Sequence, residues 1–126
     1  MPQMDPRGCI LVVDDDPSQR AAVRFLLDSA GYQVATATHG AEALAQLRGG
    51  LRPALILLDL AMPVMDGAQF RAIQSADPQL AGIPAIILSA QEENLIRVPA
   101  NGYIHKGANA DRLLAVIARF FPGYEH

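Results

Sequence analysis

One stretch, LILLDLAMPVMDG from Leu55 to Gly67, restricts the fold more than any other. Leu55 to Leu58 is an unbroken apolar run with no polar face, the pattern of a strand buried on both sides. The run stops on a single carboxylate, Asp59, and a loop with Met62-Pro63 and Asp66-Gly67 follows. In an open parallel α/β sheet, ligands and chemistry collect at the carboxyl ends of the strands. Taken alone, Asp59 serves equally well as a loop carboxylate capping the next helix. The rest of the chain decides between the two.

Two further apolar runs behave in the same way. Cys9 to Val13 ends on Asp14-Asp15-Asp16-Pro17, and Ala85 to Leu88, opened by Pro84, ends on Ser89. Asp16 before Pro17 reads as a helix start, with Val23, Leu26, Leu27 and Ala30 at helical spacing and Gly31 as the stop. Gln33 to Thr38 is a short strand of mixed polarity, expected at a sheet edge. His39-Gly40 turns into a helix carrying Leu44 and Leu47, ended by Gly49-Gly50. Gly67 to Ser75 is a short helix with Phe70 and Ile73 inward, broken by Asp77-Pro78. Gln91 to Arg97 leaves room for about two helical turns before Pro99. Tyr103 to Lys106 forms a last short strand, and Asn109 caps a final helix bearing Leu113, Val116, Ile117 and Phe120.

The sum is a (βα)5 chain of the α/β class: a doubly wound, flavodoxin-like, five-stranded parallel sheet of order 2-1-3-4-5. The three most apolar runs then occupy the central strands, as burial on both faces requires. Right-handed crossovers bring their ends to one edge. That edge gathers Asp14, Asp15, Asp16, Asp59 and Ser89, with Lys106 on the neighbouring strand.

Composition narrows the classes. The 126 residues suit one domain, and a 51% hydrophobic fraction without Trp suits an aliphatic core. A net charge of −3 with no basic cluster gives no electrostatic case for direct nucleic-acid binding. No apolar run approaches the ~20 residues of a membrane span, and Met1 to Pro6 lacks a signal-peptide pattern, so a cytoplasmic protein is expected. Cys9, the single cysteine, heads an apolar strand and reads as packing. His39, His105 and His126 are scattered, which argues against a zinc site. His105 alternates with Lys106 and reads as ordinary packing.

Converging carboxylates repel and need compensation. A hard divalent cation held by oxygens is the usual solution, and Mg²⁺ takes few carboxylates while keeping waters for phosphate oxygens to replace. Lys106 adds a mobile positive charge and Ser89 a hydroxyl. Carboxylate, metal, ammonium and hydroxyl are the parts required to move a phosphoryl group onto an aspartate oxygen, where catalysis is mainly positioning and charge neutralisation.

ILVVDDDP, LILLDLAMPVMDG, IPAIILSA and GYIHK together resemble the receiver domains of two-component response regulators, in order and spacing, over residues 8 to 121. The resemblance implies a loose lead-in over 1–7, a receiver domain over 8–122 and a tail over 123–126. It implies a signalling phospho-acceptor rather than an enzyme, promoting its own phosphorylation and dephosphorylation. Asp59 would accept the phosphoryl group, and Asp14, Asp15, Asp59 and the backbone carbonyl of Ala61 would hold Mg²⁺. Ser89 would turn toward the phosphoryl group, Lys106 would pair with it, and Tyr103 would be the aromatic that reports the Ser89 movement. A sensor histidine kinase or a histidine phosphotransfer protein is the implied donor, and a downstream protein or effector domain the implied receiver of the signal. Asp16 keeps its reading as a helix cap, and Asp66-Gly67 as loop closure and helix start.

Three departures from the family pattern stand out. Gly107 replaces the usual proline after the lysine, and it is expected to supply unusual backbone angles while holding the loop less rigidly. Ser89 and Lys106 are only 17 positions apart, so the fourth helix is expected to be short or irregular. Ala61 and Gln91 occupy the two positions that influence water attack on the acyl phosphate, and Ala61 brings no polar group there. The chain is expected to be a stand-alone receiver or a piece of a longer protein. With a short fourth helix and a loosened Lys106 loop, its output is expected to use an altered surface, as in a stand-alone regulator or phosphorelay carrier.

Two rivals share the fold. An aspartate-nucleophile phosphohydrolase needs a second acid two positions after the nucleophile, where this chain has Ala61. A flavin or small-molecule module needs a Gly- or Ser/Thr-rich phosphate loop after the first strand, where this chain has three acids.

Overall fold

In the computed structural model, residues 9–62, 64–90 and 96–121 are described. Five strands, β1 (Cys9–Val13), β2 (Gln33–Ala37), β3 (Leu55–Asp59), β4 (Ala85–Ser89) and β5 (Gly102–His105), form one parallel sheet of order β2-β1-β3-β4-β5. The described helices are α1 (Pro17–Ser29), α2 (Gly40–Arg48), α3 (Gly67–Ala76) and α4 (Ala110–Ala118). The fourth helix expected from Gln91 to Arg97 has residues 91–95 outside the described set, and Ile96 and Arg97 are not helical. The lead-in over 1–7, the tail over 123–126, Pro63 and Gln91 also lie outside it.

The strand order follows from burial. Every residue of β1, β3 and β4 is buried, while β2 and β5 at the edges are mostly half-exposed. Side chains of successive strand residues point to opposite faces, so each apolar run feeds two cores. Ile10, Val12, Leu55, Leu57, Ile86, Leu88 and Ile104 pack with Leu27 of α1 and with Leu113, Val116 and Ile117 of α4. Leu11, Val13, Ile56, Leu58 and Ala85 pack on the other face with Ala43, Leu44 and Leu47 of α2 and with Phe70 of α3. At roughly 1.5–3 kcal/mol for each fully buried aliphatic side chain, these two layers hold the sheet.

The helix starts are set by local chemistry. Asp16 caps α1, its Oδ1 accepting from the amides of Ser18 and Gln19, with Pro17 in the first turn. Asp66 and Gln69 form a reciprocal capping box at α3. Asn109 caps α4 by accepting from the Arg112 amide. No helix among the described residues is long and apolar enough to cross a membrane.

Candidate functional site

Pairing across the sheet decides which strand-end residues meet. Val13 lies opposite Leu58 and Leu88 opposite Asp59, so Asp14 and Ser89 follow directly on either side of Asp59. The order reversal between β1 and β3 opens the crevice in which parallel sheets bind ligands. Asp14, Asp15 and Asp59 each direct a carboxylate oxygen into it, all within 4.8 Å of one another.

Asp59 is almost sealed, at 2% exposure, and its charge is met by Lys106, whose Nζ lies 2.9 Å from Oδ1. The Ala61 amide also donates to that oxygen, at 3.4 Å. Lys106 reaches the site because its own amide donates to the Ser89 carbonyl at 2.8 Å, extending the β4–β5 pairing one step past His105. Gly67 lets α3 close over the loop after Asp59: a Cβ there would lie 2.9 Å from Leu60 Cα and 3.0 Å from the Asp59 carbonyl oxygen. Its amide donates to the Leu60 carbonyl at 2.9 Å.

Asp14 is 1% exposed, and its Oδ1 accepts from the Asp16 amide at 2.9 Å. Its Oδ2 is buried with no hydrogen-bond partner among the described residues. Burial pushes the Asp14 carboxyl up to about 6; the Asp16 amide opposes this, the Asp59 charge adds to it, Lys106 opposes and Asp15 adds. A buried oxygen aimed into an acidic crevice without a donor is what a bound cation satisfies. The donor set is carboxylate oxygen only, with no His or Cys in it, which fits a hard divalent ion such as Mg²⁺.

The sequence-expected residues therefore divide. Asp14, Asp15, Asp59 and Lys106 come together, with Ser89 beside them on β4. Asp16 turns away to cap α1. Tyr103 sits two residues before His105 on β5, its hydroxyl donating to the Val98 carbonyl at 2.7 Å and accepting from the Ala100 amide at 3.0 Å. Two neighbours escaped the sequence reading. Arg20 on α1 donates from Nη1 to the Asp14 carbonyl at 2.7 Å, pinning the acidic loop. His105, expected as ordinary packing, is half-buried and also bridges backbone groups of two loops. Its position beside Lys106 was the only signal available for it.

Comparison with known proteins bears on this arrangement. The family model for the response regulator receiver domain matches residues 10–118. The DNA-binding response regulator MtrA of Mycolicibacterium smegmatis is 34% identical over 114 residues, covering 86% of this chain and 48% of MtrA, so the chain spans about half of that relative. The chemotaxis response regulator CheY4 of Vibrio cholerae superposes with a TM-score of 0.82 at 33% identity, covering 90% of this chain and 98% of CheY4. The receiver domain of sensor histidine kinase PA1611 from Pseudomonas aeruginosa gives 0.82 at 25% identity, covering 90% of this chain and 97% of that one. PA1611 carries a magnesium ion coordinated in its active-site cleft.

Proposed function

The chain belongs to the response regulator receiver domain family, and from that premise we propose that Asp59 accepts a phosphoryl group in a Mg²⁺-dependent reaction. The observation that carries this reading is the contact of Lys106 Nζ with Asp59 Oδ1, 2.9 Å, inside a cluster of three carboxylates. The donor is a phosphohistidine of a sensor histidine kinase or histidine phosphotransfer protein, or a small acyl phosphate.

An Asp59 carboxylate oxygen forms the new bond to phosphorus while the bond to the donor nitrogen or oxygen breaks, leaving an aspartyl phosphate. Bound Mg²⁺ would supply charge neutralisation for the entering phosphoryl oxygens. Asp14, Asp15, Asp59 and the Ala61 carbonyl would hold the ion. Lys106 holds the Asp59 carboxylate in place, then turns its ammonium to a phosphoryl oxygen once the charge moves outward. The Ser89 hydroxyl is drawn in to hydrogen-bond another. That movement vacates space for Tyr103, whose ring would leave Val98 and Ala100 and alter the surface around β5 and α4, to be read by a downstream protein or effector domain.

Incubation with acetyl phosphate and with phosphohistidine donors, followed by intact-mass measurement, tests the reading. A single phosphoryl adduct is expected with Mg²⁺, lost on chelation and absent in Asp59→Asn. Equal labelling of Asp59→Asn and the wild type would send the search to another acceptor.

A further inference from the structure

His105 closes β5 with its imidazole half-buried and both ring nitrogens engaged. The Gly107 amide donates to Nδ1 at 2.9 Å, and Nε2 lies 3.0 Å from the Ala90 carbonyl oxygen. An amide N–H only donates and a carbonyl only accepts. The two bonds together are made by the tautomer that carries its proton on Nε2. The ring straps the loop that leaves β4 after Ser89 to the loop that leaves β5 with Lys106.

Position 107 matches this ring. Gly107 is not among the glycines at positive φ, so unusual backbone angles do not account for it, contrary to the sequence expectation. What it supplies is an N–H and an empty space. A Cβ there would lie 3.0 Å from His105 Nδ1 and 3.1 Å from Cε1, so the ring would have to give by a few tenths of an ångström. Proline would bring that same Cβ and have no N–H to donate.

We infer that His105 is a positioning residue for phosphoryl acceptance. Its imidazole holds the Lys106 loop so that the ammonium stays on Asp59, replacing by two hydrogen bonds the stiffness that a ring-constrained residue at 107 would provide. The inference rests on Asp59 being the acceptor. A loop displacement of about an ångström is enough to slow a positioned reaction roughly 10- to 100-fold.

The test uses the full chain, Mg²⁺ and acetyl phosphate. His105→Ala and Gly107→Ala should each slow incorporation roughly tenfold or more, the latter because its methyl group pushes the ring off its two hydrogen bonds. The double variant should be no slower than the slower single. His105→Gln, with one acceptor and one donor on its amide, should recover most of the rate. In a Lys106→Ala background His105→Ala should have no further effect, whereas a merely structural role would still slow the reaction. An unchanged rate in His105→Ala, or losses that multiply in either double variant, would overturn the inference. Failure of the wild type to label would instead remove the acceptor reading. Histidine ¹⁵N spectra of the unphosphorylated wild type then decide the strap independently. A fixed Nε2–H tautomer is expected at His105, and an averaged or Nδ1–H ring overturns it even if the variants do not fold.

Discussion

Lys106 Nζ lies 2.9 Å from Asp59 Oδ1, joining residues at the ends of β5 and β3, which are separated in the sheet by β4. The carboxylate is 2% exposed and the ammonium side chain 27%. The pair therefore anchors a cation on the floor of this acidic crevice.

Lys106→Ala should leave Asp59 buried without a counter-charge beside Asp14 and Asp15. Urea unfolding at neutral pH in EDTA is expected to register a loss of about 1–3 kcal/mol. Mg²⁺ should narrow that gap by supplying the missing positive charge. Equal midpoints for wild type and variant in EDTA would contradict the pairing.

Asp14 gives a pH-dependent signature. Its folded-state value of about 6 lies above the ordinary 3.8 of an aspartate, so the folded state binds the proton more tightly than the unfolded chain. The cost to stability is absent below the unfolded value, grows as pH rises between the two, and is fully present above about 6. Asp14→Asn should therefore stabilise the metal-free protein at pH 7.5 by about 1–3 kcal/mol and leave it nearly unchanged at pH 3.5. Thermal melts in EDTA across that range check this, and a benefit that is larger at low pH would have the wrong sign.

Val64, in the loop between β3 and α3, has φ of 68° and is 77% exposed. A β-branched residue is strained in the left-handed region, and its exposed side chain contributes little packing there. Val64→Asn should raise stability by about 1 kcal/mol, because asparagine tolerates that region. Chemical denaturation of the two proteins reads it directly; a destabilised variant would mean that the valine holds the loop in some other way.

The output surface makes a further prediction. Tyr103 must break hydrogen bonds to Val98 and Ala100 to rotate, and the sequence leads to the expectation of a shortened segment before β5. Activation with beryllofluoride, which mimics the acyl phosphate, should therefore change the environment of Tyr103 without driving dimerisation. Sedimentation velocity with and without beryllofluoride checks this. Strong activation-dependent dimers, lost on mutating exposed residues of α4, would contradict it.

What was legible in the sequence is what pattern and local chemistry dictate. Cys9–Val13, Leu55–Asp59 and Ala85–Ser89 declared themselves as central strands because burial on both faces leaves no place for a polar residue. Asp16 before Pro17 announced its cap because capping acts within three residues. With those elements and the strand order in hand, the meeting of Asp14, Asp15, Asp59 and Lys106 followed. The contacts that were not legible join distant loops or depend on a backbone angle. Arg20 reaches the Asp14 carbonyl, His105 binds Ala90 and Gly107, and Val64 is strained, all through geometry that no residue type advertises. Gly107 was expected for its backbone angles and is used for its N–H and its missing side chain.

The central claim is that Asp59 carries the phosphoryl group, and it is tested most directly by locating that group. After incubation with acetyl phosphate and Mg²⁺, borohydride reduction of the acyl phosphate converts the modified aspartate to homoserine, which peptide mass spectrometry places in the chain. The account predicts conversion at Asp59, dependent on Mg²⁺, with Asp14 and Asp15 unmodified. Conversion at Asp14, at Asp15 or at any residue outside this crevice, with Asp59 intact, would contradict it.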